Sequence, residues 1–150
     1  MPRHELIHPH QVADWLEELS GKLTQPGRLI LIGSGALLWH AHLKGITEPL
    51  PEGSMDVDPL TDSDEIARHC YEALIGTPFE EEHGWHVNLM PNAVLNEFSE
   101  DWESRATTKQ IGHLEAVAPC PTDLLAPKLR RGEPRDVAHS DWAKRVGLLD

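Results

Sequence analysis

Leu31-Ile32-Gly33-Ser34-Gly35-Ala36-Leu37, followed by Ser54-Met55-Asp56-Val57-Asp58, is the pair of stretches on which the reading of this chain turns. Arg28-Leu29-Ile30-Leu31-Ile32 follows the turn Gln25-Pro26-Gly27 and reads as a short buried strand. Gly33-Ser34-Gly35 ends it, and Ala36 to Leu43, apolar nearly all round, continues as a buried helix. A Gly-Ser step between strand and helix offers free backbone N–H groups and a helix N-terminus to a phosphate chain. The glycine lets the backbone approach closely, and the serine hydroxyl can donate to a phosphate oxygen. Asp56 and Asp58 stand at i and i+2 of a second predicted strand, so both carboxylates project from one face. With Cα atoms roughly 7 Å apart, they can bracket the divalent ions used in phosphoryl transfer. Magnesium, or manganese in its place, suits oxygen ligands shared with substrate phosphates.

The remaining elements extend this pattern in both directions. Pro9 to Lys22 predicts a helix, with Val12, Trp15, Leu16 and Leu19 at helical spacing and proline at the first position. A Pro/Gly-rich loop runs from Gly45 to Gly53. Thr61-Asp62-Ser63-Asp64 caps a helix carrying Ile66, Cys70, Ala73 and Leu74, closed by Gly76-Thr77-Pro78. After an acidic surface stretch, Glu80 to Glu82, a third strand is expected at Trp85 to Met90 and a fourth at His113 to Val117. From Pro121 onward the chain reads as two helices broken around Arg131-Gly132-Glu133-Pro134. The expectation is one α/β domain over residues 1–150, with an N-terminal helix at 9–22, a core at 28–118 and C-terminal helices at 121–147. Its mixed sheet has four to five strands, with helices packed mainly on one face.

Gly-Ser after a strand, then a helix, then Asp-x-Asp on the next strand resembles the DNA polymerase beta-like nucleotidyltransferase superfamily. The longer pattern continues with Asp123-Leu124-Leu125-Ala126-Pro127-Lys128-Leu129 and Pro134-Arg135-Asp136. Over about residues 28–140 it resembles the small bacterial nucleotidyltransferase-like proteins related to abortive-infection toxins and their antitoxin cousins. The resemblance implies the nucleotidyltransferase fold, with Gly33 and Ser34 on the nucleotide phosphates, Asp56 and Asp58 on the metals, and Lys128 as a point charge by the phosphates. It implies two-metal in-line displacement at the α-phosphorus with pyrophosphate leaving, an RNA or protein hydroxyl as acceptor, and a cognate toxin or antitoxin as partner. Catalytic relatives carry a third carboxylate on the neighbouring strand. Asn88 occupies the matching position, and an amide oxygen cannot act as a general base. Glu115 on the next predicted strand is the candidate substitute. The gap between Gly33 and Asp56 is also long. Transfer and binding without turnover therefore both stay open, the second as an inactive interaction protein; a hydrolase using the same aspartates is the third class.

The chain has 13 Lys and Arg against 25 Asp and Glu, a formal charge of −12, which argues against gripping bare nucleic acid. A nucleotide arriving with magnesium is not excluded, and Lys128, Arg130, Arg131, Arg135, Lys144 and Arg145 gather basic charge near the C-terminus. The segment from Lys128 to Arg135 reads as a solvated helix face or as a phosphate or RNA contact. No apolar run approaches the ~20 residues of a membrane helix, and no signal-like segment opens the chain. Cys70 and Cys120 form neither a disulfide framework nor a metal knuckle, so a cytoplasmic protein with reduced thiols is expected. His4-Glu5-Leu6-Ile7-His8 matches a zinc-protease pattern, but Pro9 disfavours helix at His8, and the segment reads as an exposed lead-in. Of His40 and His42, one is expected buried on a backbone partner and the other near the cleft. His83 and His86 flank the third strand as an opportunistic metal pair, and Trp39, Trp85, Trp102 and Trp142 read as core or interface anchors.

Overall fold

The computed structural model describes residues 5–149. Helix α1 (Pro9–Lys22) has the predicted bounds and buries Val12, Trp15, Leu16 and Leu19 along one face. Its N-terminus is closed by Gln11, whose Oε1 accepts from the backbone N–H groups of Ile7 and His8 at 2.8 and 2.7 Å. Strand β1 (Gly27–Ile32) passes directly into α2 (Gly33–Leu43), which starts three residues earlier than the sequence suggests. Strand β2 (Asp56–Thr61) follows the Pro/Gly-rich loop. Helix α3 (Asp64–Tyr71) is capped by Ser63, whose hydroxyl accepts from the Ile66 N–H at 3.1 Å. The acidic stretch forms a short helix, α4 (Pro78–His83), rather than plain surface chain.

The third strand is shorter than expected. Its ladder covers only β3 (His86–Val87), although Asn88 and Met90 still donate backbone bonds to Val57 and Pro59. A 3-10 turn at Asn92–Glu97 and the single turn α5 (Trp102–Arg105) come next. Strand β4 (Thr107–Ile111) carries no strand pattern in the sequence. Its Thr-Thr-Lys-Gln-Ile lacks an apolar face because it is an edge strand with its centre exposed. Strand β5 (Leu114–Ala118), α6 (Pro121–Arg131) and α7 (Pro134–Arg145) complete the chain, with the break at Gly132 where it was read.

The sheet order is β3-β2-β1-β5-β4. β1 is antiparallel to β2 and parallel to β5, β2 is parallel to β3, and β4 is antiparallel to β5. This is the mixed five-stranded α/β architecture expected of a nucleotidyltransferase-like fold. Alternation assigns the two faces. Leu29, Leu31, Val57 and Ala116 lie on the face packed by α1, α2 and α3, where Gly27 meets Ile66 and Gly35 meets Val57. Asp58 lies opposite Ile32 in the register, on the other face. There the chain segment 88–105 crosses the sheet, leaving a depression at the β1–α2 junction.

Several peripheral readings change. Leu6 is fully buried and pairs with Ser54 in an isolated antiparallel bridge, so residues 5–8 are an extended, anchored segment rather than an exposed lead-in. Extended backbone at His8 rules out the single helix a zinc-protease site needs, while His4 lies outside the described residues. His40 is buried with Nε2 donating to the Pro119 carbonyl at 2.7 Å. His42 is exposed and stacks on Trp39 instead of approaching the cleft. Trp39, Trp85, Trp102 and Trp142 are all buried, Trp102 included. Cys70 and Cys120 are free thiols, and burial pushes Cys70 up to about 12, which leaves it inert. Among the described residues, no helix is long and apolar enough to cross a membrane.

Candidate functional site

Gly33 has φ +70°, a conformation that turns the chain sharply from β1 into α2. A Cβ there would lie 2.9 Å from Asp58 Oδ2, so the missing side chain lets the carboxylate sit over the helix start. The backbone N–H groups of the first turn of α2 have no intrahelical partner and carry the positive end of the helix dipole. Asp56 and Asp58 flank Val57, which points into the core, and so project together from the other face. Asp56 is positioned by Ser54, whose hydroxyl lies 3.2 Å from Asp56 Oδ1 and 3.1 Å from its carbonyl.

Gly33, Ser34, Asp56, Asp58 and Lys128 all line one cavity of about 270 Å³. Met90, Val94 and Phe98 supply an apolar wall from the crossing segment, and Arg131 and Arg135 add positive charge from the helical side. Burial, and then the neighbouring Asp56 carboxylate, raise Asp58 to about 6. The two carboxylates are only partly buried, and their oxygens on one face suit a divalent ion shared with phosphate oxygens. Among the described residues, no group of three or more His, Cys, Asp or Glu side chains is placed to hold a metal ion.

Lys128 is buried although it is a lysine, and α6 aims it at the N-terminus of α2. Its Nζ donates to Ser34 Oγ at 3.0 Å and to His139 Nδ1 at 3.2 Å, and lies 3.9 Å from Asp136 Oδ1. Burial lowers Lys128 to about 8, against the opposing pull of Asp136. Asp136 is held by a forked contact from Arg131, at 2.9 and 3.3 Å, which keeps its carboxyl below the usual range. His139 is wholly buried. Its Nε2 donates to the Glu52 carbonyl at 3.1 Å, which leaves Nδ1 as the acceptor for Lys128. Burial, then the Lys128 charge, push His139 down to about 4.

Asn88 Nδ2 donates to Asp58 Oδ1 at 3.4 Å, so an amide stands beside the aspartate. Glu115 is not brought to the cavity. It faces Arg28, with Nε 3.2 Å from Glu115 Oε1, towards the other end of β1, where Arg28 also meets Glu103. His83 stacks on Phe79 and donates from Nδ1 to the Phe79 carbonyl, so it does not pair with His86 over a metal. The basic segment divides by face: Lys128, Arg131 and Arg135 line the cavity, while Arg130 is exposed and ties the Glu97 carbonyl to α6. Sequence reasoning missed His139 as a site residue. A lone histidine in a polar helix carries no local signal, and only the packing of α7 against α6 makes it Lys128's partner.

The mixed five-stranded α/β sheet with its helices is consistent with a nucleotidyltransferase-like fold. Residues 10–147 match the family described as nucleotidyltransferase of unknown function (DUF6036), and the chain belongs to that family. Comparisons with curated proteins and with solved structures give no match.

Proposed function

We propose that the protein binds a nucleoside triphosphate with magnesium or manganese and transfers its nucleotidyl group to a hydroxyl of an RNA or protein acceptor, breaking the α–β phosphoanhydride bond so that pyrophosphate leaves. One observation carries this reading: Asp56, Asp58, the Gly33-Ser34 helix start and Lys128 converge on a single cavity. A bound divalent ion would supply Lewis-acid polarisation of the phosphoryl oxygens. The chain's own groups do the rest. Asp56 and Asp58 hold the cation, and the free N–H groups at the start of α2 receive phosphate oxygens. Ser34 and Lys128, bonded to each other, exchange that bond for phosphate oxygens when the nucleotide enters. Arg131 and Arg135 add to the positive field that offsets triphosphate charge on an acidic protein.

Asn88 favours a second reading, in which the nucleotide is bound without turnover and the protein acts through a cognate partner such as a toxin or antitoxin. An amide beside Asp58 cannot take a proton from an acceptor hydroxyl. Calorimetric titration with ATP, GTP, CTP and UTP in magnesium, with Asp58→Asn in parallel, tests the site common to both. Saturable binding lost in the variant supports it, whereas binding unchanged in the variant, or no binding by a folded sample, overturns it. Incubation with an α-labelled nucleotide then separates the readings, since only transfer places label on protein or RNA.

A further inference from the structure

Lys128 Nζ donates two hydrogen bonds, to Ser34 Oγ at 3.0 Å and to His139 Nδ1 at 3.2 Å. Asp136 Oδ1 stands 3.9 Å away, too far for a third, because its carboxylate is turned to Arg131. On the proposed reading, phosphate oxygens displace the Ser34 bond, so the bond to His139 is the one that outlasts nucleotide entry. The imidazole is set up as a fixed acceptor. It is wholly buried, and its Nε2 faces the Glu52 carbonyl at 3.1 Å. A carbonyl only accepts, so Nε2 carries the proton and Nδ1 presents its lone pair to the lysine. Burial favours the neutral ring, the form that keeps this lone pair. The residue whose carbonyl receives the ring, Glu52, has φ +47°, a backbone conformation that non-glycine residues rarely adopt. Two residues on, Ser54 pairs with Leu6, and its hydroxyl lies 3.2 Å from Asp56 Oδ1. One ring on α7 therefore joins the lysine of α6 to the loop that leads into the aspartate strand.

We propose that His139 is a positioning residue for Lys128: its neutral ring, anchored on the Glu52 carbonyl, holds the ammonium at the start of α2 before and after phosphate enters. The inference rests on the reading of Lys128 as a phosphate contact. His139 stands behind the lysine, outside the cavity lining, and acts through it. Its effect depends on an acceptor atom rather than on shape, and two substitutions of like volume separate these. Asparagine can place an amide oxygen near the position of Nδ1, whereas leucine has the same branched form and no acceptor. His139→Leu should weaken binding of inorganic tripolyphosphate with magnesium by about tenfold or more, the scale of a lost hydrogen bond to a charged group. His139→Asn should recover most of that loss, although a buried amide is the less stable replacement. A ring that only filled space would give the reverse order.

Calorimetric titration of the full chain and both variants with inorganic tripolyphosphate in magnesium, with a thermal melt of each sample, makes the comparison. Weakened binding in His139→Leu that is largely recovered in His139→Asn supports the proposal. Binding by His139→Leu equal to wild type, or by His139→Asn no better than by His139→Leu, overturns it. A second arm needs no variant to fold. Long-range ¹H–¹⁵N correlation of the wild-type imidazoles at pH 7 should show His139 neutral, with its proton on Nε2, with and without saturating tripolyphosphate. A proton on Nδ1, in either the other tautomer or a charged ring, overturns the proposal. Lys128→Gln separates the two inferences. If that variant abolishes tripolyphosphate binding while His139→Leu leaves it intact, only the positioning role falls. If Lys128→Gln changes nothing, or a folded wild type binds no tripolyphosphate, the phosphate role of Lys128 falls and the positioning role falls with it.

Discussion

Asp58 and His139 show how strongly single side chains at this cavity depend on what surrounds them. Burial and Asp56 raise the Asp58 carboxyl from 3.8 to about 6. Its protonation therefore favours the folded state fully below pH 3.8, and this advantage is lost as pH rises through 6. The charged carboxylate then costs up to about 3 kcal/mol at pH 8. Asp58→Asn should be more stable than wild type at pH 8 by up to that amount, with the difference gone near pH 3.5 in thermal melts across that range. A gain in stability with loss of nucleotide binding is the usual relation between an active-site charge and the fold. His139 works in the opposite direction. Lowered from 6.5 to about 4, it stays neutral in the folded chain while the unfolded chain takes up a proton. Stability from this group is whole above 6.5 and falls as pH drops towards 4. The two effects offset each other in the wild type, so Asp58→Asn should lose stability between pH 6.5 and 4 more steeply than the wild type does. Parallel melts with equal slopes would contradict the Asp58 assignment. Gly33→Ala should cost about 1–2 kcal/mol through positive φ alone. Its Cβ would also press on Asp58 Oδ2, so nucleotide affinity should drop more than stability does, as calorimetry and melts on the same sample would show.

Local sequence signals mark some elements well and others poorly. Pro9, the 3.6-residue spacing of Val12, Leu16 and Leu19, and the Gly132-Glu133-Pro134 break announce α1, α6 and α7 because capping and periodicity are properties of neighbouring residues. Helix α3 depends on its cap in the same way. Ser63→Ala removes the acceptor for the Ile66 N–H and should cost about 1 kcal/mol in denaturant melts, with the nucleotide site unaffected. Strand β4 carries no such signal, because its partner β5 supplies the pairing and solvent covers its three central side chains. The third strand is shorter than its sequence suggests for the converse reason. Apolar Leu89 and Met90 suggested a longer ladder, but the chain leaves the sheet to begin crossing its open face.

For the molecule as a whole, the charge of −12 and the positive lining of one cavity act on different scales. Self-repulsion of the acidic surface opposes compactness and is screened by salt. Raising sodium chloride from about 0.05 M to about 0.5 M should lift the melting temperature by a few degrees, and a fall would mean that attractive pairs dominate. The same salt should weaken nucleotide binding, since Lys128, Arg131 and Arg135 act on phosphate charge. The Gly-Ser step and the Asp-x-Asp strand were legible in the sequence by itself, as was the direction of both carboxylates, because alternation along a strand fixes side-chain facing within a few residues. Only the tertiary structure decided which distant groups meet them. Lys128 and His139 reach Ser34 across 94 and 105 residues of chain, Glu115 is carried away to Arg28, and His86 is set beside Asp56. Strand order and register, which place these groups, come from packing between segments far apart in the chain, and no local spacing encodes them.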